Sequence, residues 1–172
     1  MKSTLLQVVQ SILSDMDSEN VNSISDTTEA LQIASVVEDT YFNIIAARSI
    51  PEHNKLIPLV SLGSSARPTH FTYPARTKEL IRVDYNIGTA SSQDYREIVY
   101  VPPLEFIDRM SETDFKVTTV DQSVELFVAN DRDPSYYTSF NDNHIIMDSY
   151  DASVETNLTA AKTRALCSIY PT

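Results

Sequence analysis

Proline divides this chain into two parts of different character. The first fifty residues contain no proline, whereas prolines recur at 51, 58, 68, 74, 102 and 103. A proline inside a helix removes a backbone donor and clashes with the preceding turn, so no long helix can run through that stretch. The sequence therefore predicts helices before Pro51 and shorter elements after it.

Two amphipathic helices are predicted in the first part. Residues 4–16 place apolar side chains at three- and four-residue steps, and residues 27–48 repeat this pattern. Asp26 is the expected N-cap of the second helix, where Glu29 completes a capping box. A connection of about ten residues between two helices favours an antiparallel pair.

Short strands dominate the rest of the chain. Apolar and β-favouring runs predict strands at 80–85, 97–101, 115–120, 124–128, 136–140 and 144–148. The last two flank an Asn-Asp-Asn turn and are expected to form a hairpin. Pro102-Pro103 can occupy the first turn of a short helix that ends at Met110, because the missing N–H costs nothing there.

These patterns predict an α+β fold. An antiparallel helical pair in residues 1–50 is expected to pack with a β-rich central and C-terminal part, within a single structural domain. Residues 51–150 form the β-rich region with its short helix, and residues 151–172 form a C-terminal helix or an extended arm. A chain of 172 residues can bury about two thirds of its unfolded surface, so it needs no disulfide.

Composition argues against several classes of function. The formal net charge is −11 and the lysines and arginines are not clustered, so direct binding of nucleic acid is not expected. With only Gly63 and Gly88 in the chain, a glycine-rich loop that cradles phosphate cannot form. No window approaches the ~18 apolar residues of a membrane span, so no membrane partner is expected.

The segment from Asn130 to Asp151 is the richest in acidic and aromatic side chains. Rigid aromatic rings are enriched at protein interfaces, although a hairpin packed on its own core would explain them equally well. The interface candidates in this segment are Asp131, Asp133, Tyr136, Tyr137, Phe140, Asp142, Asp148 and Tyr150.

No metal or cofactor site is predicted. The spacing from Asp131 to Asp142 equals that of a calcium loop, but Tyr136 stands where that loop requires glycine. Zinc needs nitrogen or sulfur ligands in close sets, whereas the three histidines are scattered along the sequence and Cys167 is alone. Strand or surface positions are expected for His53, His70 and His144.

No catalytic residue is predicted either. The loop around Gly63 and Ser64 lacks the second glycine of a nucleophile elbow. Glu97 and Glu105 could act as a pair of glycosidase acids, but an acidic chain offers many such pairs. The sequence therefore favours a protein that is not an enzyme, with a small acidic hydrolase as the less favoured reading.

Part of the chain resembles a known family. The runs Asp131–Asp142 and Ile145–Asp151 resemble a segment of phage virion proteins at the neck of short-tailed phages, the head-to-tail adaptors of the tail tubular protein A type. The N-terminal pattern is similar to that family's opening helical pair: Ile12-Leu13, a short loop, and then the helix carrying Ala30, Ala34, Ile44 and Ile45. The short helix after Pro102-Pro103 is the best match in the middle of the chain.

The resemblance implies a structural role in the virion. The protein would be made in the host cytoplasm and form a homo-oligomeric, dodecameric ring below the portal protein. It would bind portal on one side and the tail nozzle or tail tube protein on the other, with DNA only as passing cargo. Negative charge facing the channel would repel the DNA backbone. A head-completion or tail-terminator ring protein is the alternative.

Overall fold

A computed structural model of the chain confirms the α+β class. It describes residues 3–48, 50–89, 91–112, 116–121, 123–141 and 143–170, without the side chains of residues 116 and 117. Three α-helices and ten strands lie in these ranges. The chain divides into two compact units, Met1–Ile50 and Pro51–Thr172. Within the described ranges, no helix has the length and apolar character that crossing a membrane requires.

The first unit is the predicted helical pair. Helix α1 spans Leu5–Asp15 and helix α2 spans Thr28–Ala47. Thr4 and Gln7 form a reciprocal capping box at the start of α1, in which each side-chain oxygen accepts from the other residue's backbone N–H. The buried contacts of this unit involve Val9, Leu13, Val21, Ala30 and Ala34.

The cap of α2 differs from the predicted one. Thr27, not Asp26, caps this helix, and its hydroxyl accepts a hydrogen bond from the Ala30 backbone N–H at 3.1 Å. The Asp26 carboxylate instead accepts from the backbone N–H groups of Asn22 and Ser23, at 2.7 and 2.8 Å. The Asp26 side chain thus binds backbone of the preceding loop, Thr27 caps the helix, and α2 starts one residue later than predicted.

The second unit contains helix α3, Pro103–Ser111, and all ten strands. The strands are β1 Asn54–Ile57, β2 Val60–Ser61, β3 His70–Thr72, β4 Thr77–Asn86, β5 Tyr95–Tyr100, β6 Lys116–Asp121, β7 Val124–Ala129, β8 Tyr136–Asn141, β9 His144–Met147 and β10 Thr163–Ile169. Eight form one sheet in the order β1-β10-β4-β5-β8-β9-β3-β2, and β6 pairs with β7 in a separate two-stranded sheet. The β5–β8 pair is parallel and the others are antiparallel.

The C-terminal residues form an interior strand. Residues 151–172 were predicted to form a helix or an extended arm. In their described part, up to residue 170, they contain the short 3₁₀ helix Ala160–Lys162 and the strand β10. Strand β10 lies between β1 and β4 and is antiparallel to both. Thr163, Ala165 and Cys167 are buried at alternate positions, which is the period of a strand and not of a helix.

The large sheet is covered differently on its two faces. One face carries the main core, built around Phe71, Val83, Tyr85, Ile98, Tyr137, Ile145 and Met147. On the other face, Phe106 and Met110 of α3 pack against Val101 and Ile146. Helix α3 also contacts β7 and β8, so α3 and the β6–β7 hairpin lie together on this second face.

Candidate functional site

Three of the predicted interface residues are buried within the chain. Tyr137, Asp148 and Tyr150 are 6, 2 and 7% exposed. Tyr137 makes an edge-on contact with Tyr100 at 5.5 Å between ring centroids, and burial raises the pKa of Tyr137 to about 12. These side chains therefore contribute to the fold of this copy and not to a free surface.

Asp148 fixes the start of strand β8. Its Oδ1 accepts hydrogen bonds from the backbone N–H groups of Ser135 and Tyr136, at 2.8 and 2.9 Å. Burial raises the pKa of this carboxyl above its ordinary value, and the two N–H donors work in the opposite direction. The aspartate expected at an interface thus orders the segment that carries the aromatic residues.

The other predicted residues lie nearer the surface. Asp131, Asp133 and Phe140 are exposed and Tyr136 is half-buried, with the Arg109 guanidinium 4.6 Å from the centre of the Tyr136 ring. Asp142 lies outside the described residues. Asp131, Asp133 and Phe140 therefore remain available to a partner.

An apolar groove contains Phe140, but its other members were not predicted as a site. We define the α3–β7 groove by four exposed apolar side chains that line it, Ile107, Val124, Phe127 and Phe140. The groove has a volume of about 520 Å³, and Met110 and Leu126 contribute to its lining. Val124 is 67% exposed. Contiguous clusters of large exposed apolar side chains commonly mark interaction sites.

A sequence signal for this groove existed. Helix α3 has Glu105, Asp108 and Arg109 on one side and a wide apolar arc on the other, formed by Leu104, Phe106, Ile107 and Met110. Phe106 and Met110 are buried, whereas Leu104 and Ile107, at the edge of the same arc, are exposed. An apolar arc wider than the buried stripe is expected to have a further partner.

A second exposed apolar surface lies on α2. We define the α2 surface by Leu31, Val36, Tyr41, Phe42 and Ile44, all exposed and spread around the helix. By the rise of an α-helix, α2 with 20 residues is about 30 Å long, whereas α1 with 11 residues is about 16 Å long. Helix α1 is therefore too short to cover the whole of α2.

The two glutamates considered as glycosidase acids lie on different elements. Glu97, on β5, is 3.6 Å from a nitrogen of Arg82, which binds Asp84 more closely, at 2.7 Å. Glu105, on α3, binds Arg109 at 2.6 Å. The Cys167 thiol is buried, and burial raises its pKa, so it is not an activated nucleophile.

Two of the three histidines, expected to be scattered, lie together. His70 on β3 and His144 on β9 occupy strands, as predicted, but strand pairing brings their ring centroids to 6.4 Å. Asp121 Oδ1 is 3.9 Å from His70 Nε2 and 3.9 Å from His144 Nδ1. Burial, with the nearby charges of Arg67 and His144, lowers the pKa of His70 to about 4, so His70 is neutral at physiological pH. Sequence spacing could not reveal this cluster because its members are distant along the chain.

No family model matches this chain, and no curated protein matches its sequence.

Proposed function

We propose that this chain is a structural virion protein that forms a homo-oligomeric ring at the phage neck. It connects the portal protein to the tail nozzle or tail tube protein and lets DNA pass through the ring. The observation that carries this proposal is the presence of two different exposed apolar surfaces, the α2 surface and the α3–β7 groove. In a ring with head-to-tail contacts, every copy needs two different surfaces, one for each neighbour.

The two surfaces are large enough to matter energetically. Full burial of a leucine, valine or phenylalanine side chain contributes about 1.5–3 kcal/mol. The α2 surface has five large apolar or aromatic side chains and the α3–β7 groove has four, all already partly covered in the free chain. Their combined burial can offset much of the ~4–15 kcal/mol cost of association. In a ring, each copy of the chain would also add its own contacts to portal and tail.

Charge supports passage of DNA. A protein with a net charge of −11 repels the phosphate backbone of DNA. This repulsion favours sliding of the DNA through the ring over its binding to the protein. Asp131 and Asp133 are exposed and are candidates for the channel lining. The resemblance of their segment to head-to-tail adaptors supports the same role.

The proposal is tested by assembly. Native mass spectrometry should show the purified protein forming a closed ring when it is mixed with portal protein. Val124→Glu in the α3–β7 groove and Ile44→Glu on the α2 surface should each abolish the ring. Both side chains are at least half exposed, so the free energy of unfolding should change by less than about 0.5 kcal/mol.

Val154→Glu is the matched control. Val154 is 70% exposed, close to the 67% of Val124, but belongs to neither surface. This variant should assemble like the wild type. Rings that form equally well with Val124→Glu and Ile44→Glu would contradict the proposal, as would a chain that stays monomeric with portal. A ring that forms on a tail protein but not on portal would favour the tail-terminator alternative.

A further inference from the structure

His70, Asp121 and His144 meet where the two-stranded sheet approaches the large sheet. In the register of β3 and β9, His70 pairs with Ile146 and Thr72 pairs with His144. His70 and His144 are therefore diagonal neighbours, and their side chains lie on the same face of the sheet. This is the face that Ile146 shares with α3.

The β6–β7 hairpin brings the carboxylate to this face. Asp121 is the last residue of β6. Just before it, the Thr119 hydroxyl and the Val120 backbone N–H both donate to the Ala66 carbonyl oxygen, at 2.8 and 3.3 Å. These two hydrogen bonds hold the end of β6 against the loop that leads into β3, so the position of Asp121 is fixed by the backbone.

Unpartnered polar atoms are concentrated in this region. Among the described residues, eight buried side-chain nitrogen or oxygen atoms lack a hydrogen-bond partner, and Asn54 supplies only one of them. The other seven belong to Thr69, His70, Asp121, Thr138, Asn141 and His144. His70 is fully buried with neither ring nitrogen bonded. An unpartnered buried polar group costs about 1–3 kcal/mol, so the four unpartnered atoms of His70, Asp121 and His144 call for a partner.

We propose that His70, Asp121 and His144 bind a divalent transition-metal ion, with Zn²⁺ the best-suited ion, which links the β6–β7 hairpin to the large sheet. Two imidazole nitrogens and one carboxylate oxygen are a ligand set that zinc accepts. His70 Nε2 and His144 Nδ1 each lie 3.9 Å from Asp121 Oδ1. All three atoms are unpartnered, and they are the ligating atoms of those side chains.

Binding requires the cluster to contract. At zinc–ligand bond lengths of about 2.0–2.1 Å, two ligands at a tetrahedral angle are about 3.3 Å apart, whereas each histidine nitrogen is now 3.9 Å from Asp121 Oδ1. Among the described residues, no three His, Cys, Asp or Glu side chains are already arranged to hold an ion, so binding requires these three side chains to rearrange. Structural zinc can supply a binding free energy on the order of 10 kcal/mol, and the free-energy cost of the rearrangement is subtracted from it.

The nearby Arg67 charge acts against an ion at this site. Arg67 is next to His70, whose backbone N–H donates to the Arg67 carbonyl oxygen at 3.3 Å. The positive charge of Arg67 contributes to the lowered pKa of His70, and it would repel a cation bound there. Removal of the guanidinium should therefore increase affinity for a cation. This expectation distinguishes a metal site from a cluster that only contributes hydrogen bonds to the fold.

The test is a titration of chelator-treated full-length protein with ZnCl₂, followed by calorimetry and thermal unfolding. We expect one ion per chain and a higher Tm with zinc, because the ion binds the folded state. His144→Ala and Asp121→Asn should each weaken binding on the order of 100-fold or more. His53→Ala is the matched control, since His53 is the third histidine of the chain and lies outside the cluster. It should bind zinc like the wild type.

Co²⁺ serves as a spectroscopic probe, since a site of this kind should give the visible absorption of tetrahedral cobalt. Absence of saturable zinc binding by the wild type would overturn the proposal, as would equal affinity of the wild type and His144→Ala. If both ligand variants fail to fold, Arg67→Ala decides. Tighter zinc binding supports the site, and unchanged affinity overturns it.

Discussion

The Tyr85 hydroxyl donates a 2.6 Å hydrogen bond to Glu155 Oε1, which joins β4 to the loop that precedes β10. The same Glu155 oxygen also accepts from Lys162 Nζ at 3.1 Å. Burial of the Tyr85 ring and the negative charge of Glu155 raise the pKa of the tyrosine. The tyrosine therefore remains a neutral donor, and the contact holds a distant part of the chain against the main core.

Loss of this donor should destabilise the fold. Tyr85→Phe removes a hydrogen bond to a charged acceptor, which contributes about 1.5–3 kcal/mol. Because Glu155 keeps Lys162 as a partner, we expect a loss at the lower end of that range, measured by urea unfolding. Tyr41→Phe, at an exposed position, is the control and should change stability by less than about 0.5 kcal/mol. Equal unfolding midpoints for Tyr85→Phe and the wild type would show that the contact contributes nothing.

Asp84 should make stability depend on pH at the acidic end. It accepts hydrogen bonds from Arg82 Nε and Arg164 Nε, each at 2.7 Å. Burial raises the pKa of Asp84, but the two arginines together outweigh burial, and the net pKa lies below the ordinary 3.8. A carboxyl whose pKa is depressed by folding stabilises the folded state above its unfolded pKa. That contribution is lost as the pH falls through the folded pKa.

Asp84→Asn should therefore lower the free energy of unfolding at pH 7 by about 1–2 kcal/mol, a value reduced because both arginines are partly exposed to water. The difference from the wild type should shrink as the pH falls below the ordinary carboxyl pKa. Glu97→Gln removes an exposed carboxylate 3.6 Å from Arg82. It should change the free energy of unfolding little at pH 7 or at acidic pH. A wild-type advantage that stays constant into strong acid would contradict this account.

The two glycines should differ in their tolerance of substitution. A Cβ at Gly88 would collide with the Ser92 carbonyl oxygen and lie 2.7 Å from the Asp94 backbone nitrogen, whereas a Cβ at Gly63 would meet nothing within 4 Å. Gly63 has φ +61°, so alanine there costs about 1–2 kcal/mol for its left-handed backbone alone.

Gly88→Ala should lower Tm more than Gly63→Ala, because backbone atoms of the β4–β5 loop must move to admit the methyl group. Thermal unfolding of both variants measures the order. A larger effect at Gly63 would show that the β4–β5 loop adapts more easily than its packing suggests.

The single thiol should report on the opening of β10. Cys167 is fully buried in this interior strand, and burial raises the pKa of its thiol. We expect a thiol-labelling reagent to react slowly with the native protein and rapidly in urea. Since Cys167 is the only cysteine, the signal is unambiguous. Fast labelling without denaturant would mean that β10 detaches from β1 and β4 in the folded protein.

Local signals predicted much of the secondary structure. Pro102-Pro103 marked the start of α3, and the Asn-Asp-Asn turn marked the β8–β9 hairpin, because both depend on backbone preferences of a few neighbouring residues. The cap of α2 shows the limit of such signals. Asp26 and Thr27 are both good caps, and the competing N–H groups of Asn22 and Ser23 decided between them.

The candidate sites depended on contacts between distant residues. Tyr137, Asp148 and Tyr150 resembled interface residues in sequence, but strand pairing buried them. Strand pairing also placed His70 beside His144, and the packing of α3 near β7 formed the α3–β7 groove. Capping, turns and periodicity are encoded over a few residues, and so they can be read directly from the chain. Burial and side-chain proximity depend on strand order and register, which arise only when segments far apart in sequence pack together.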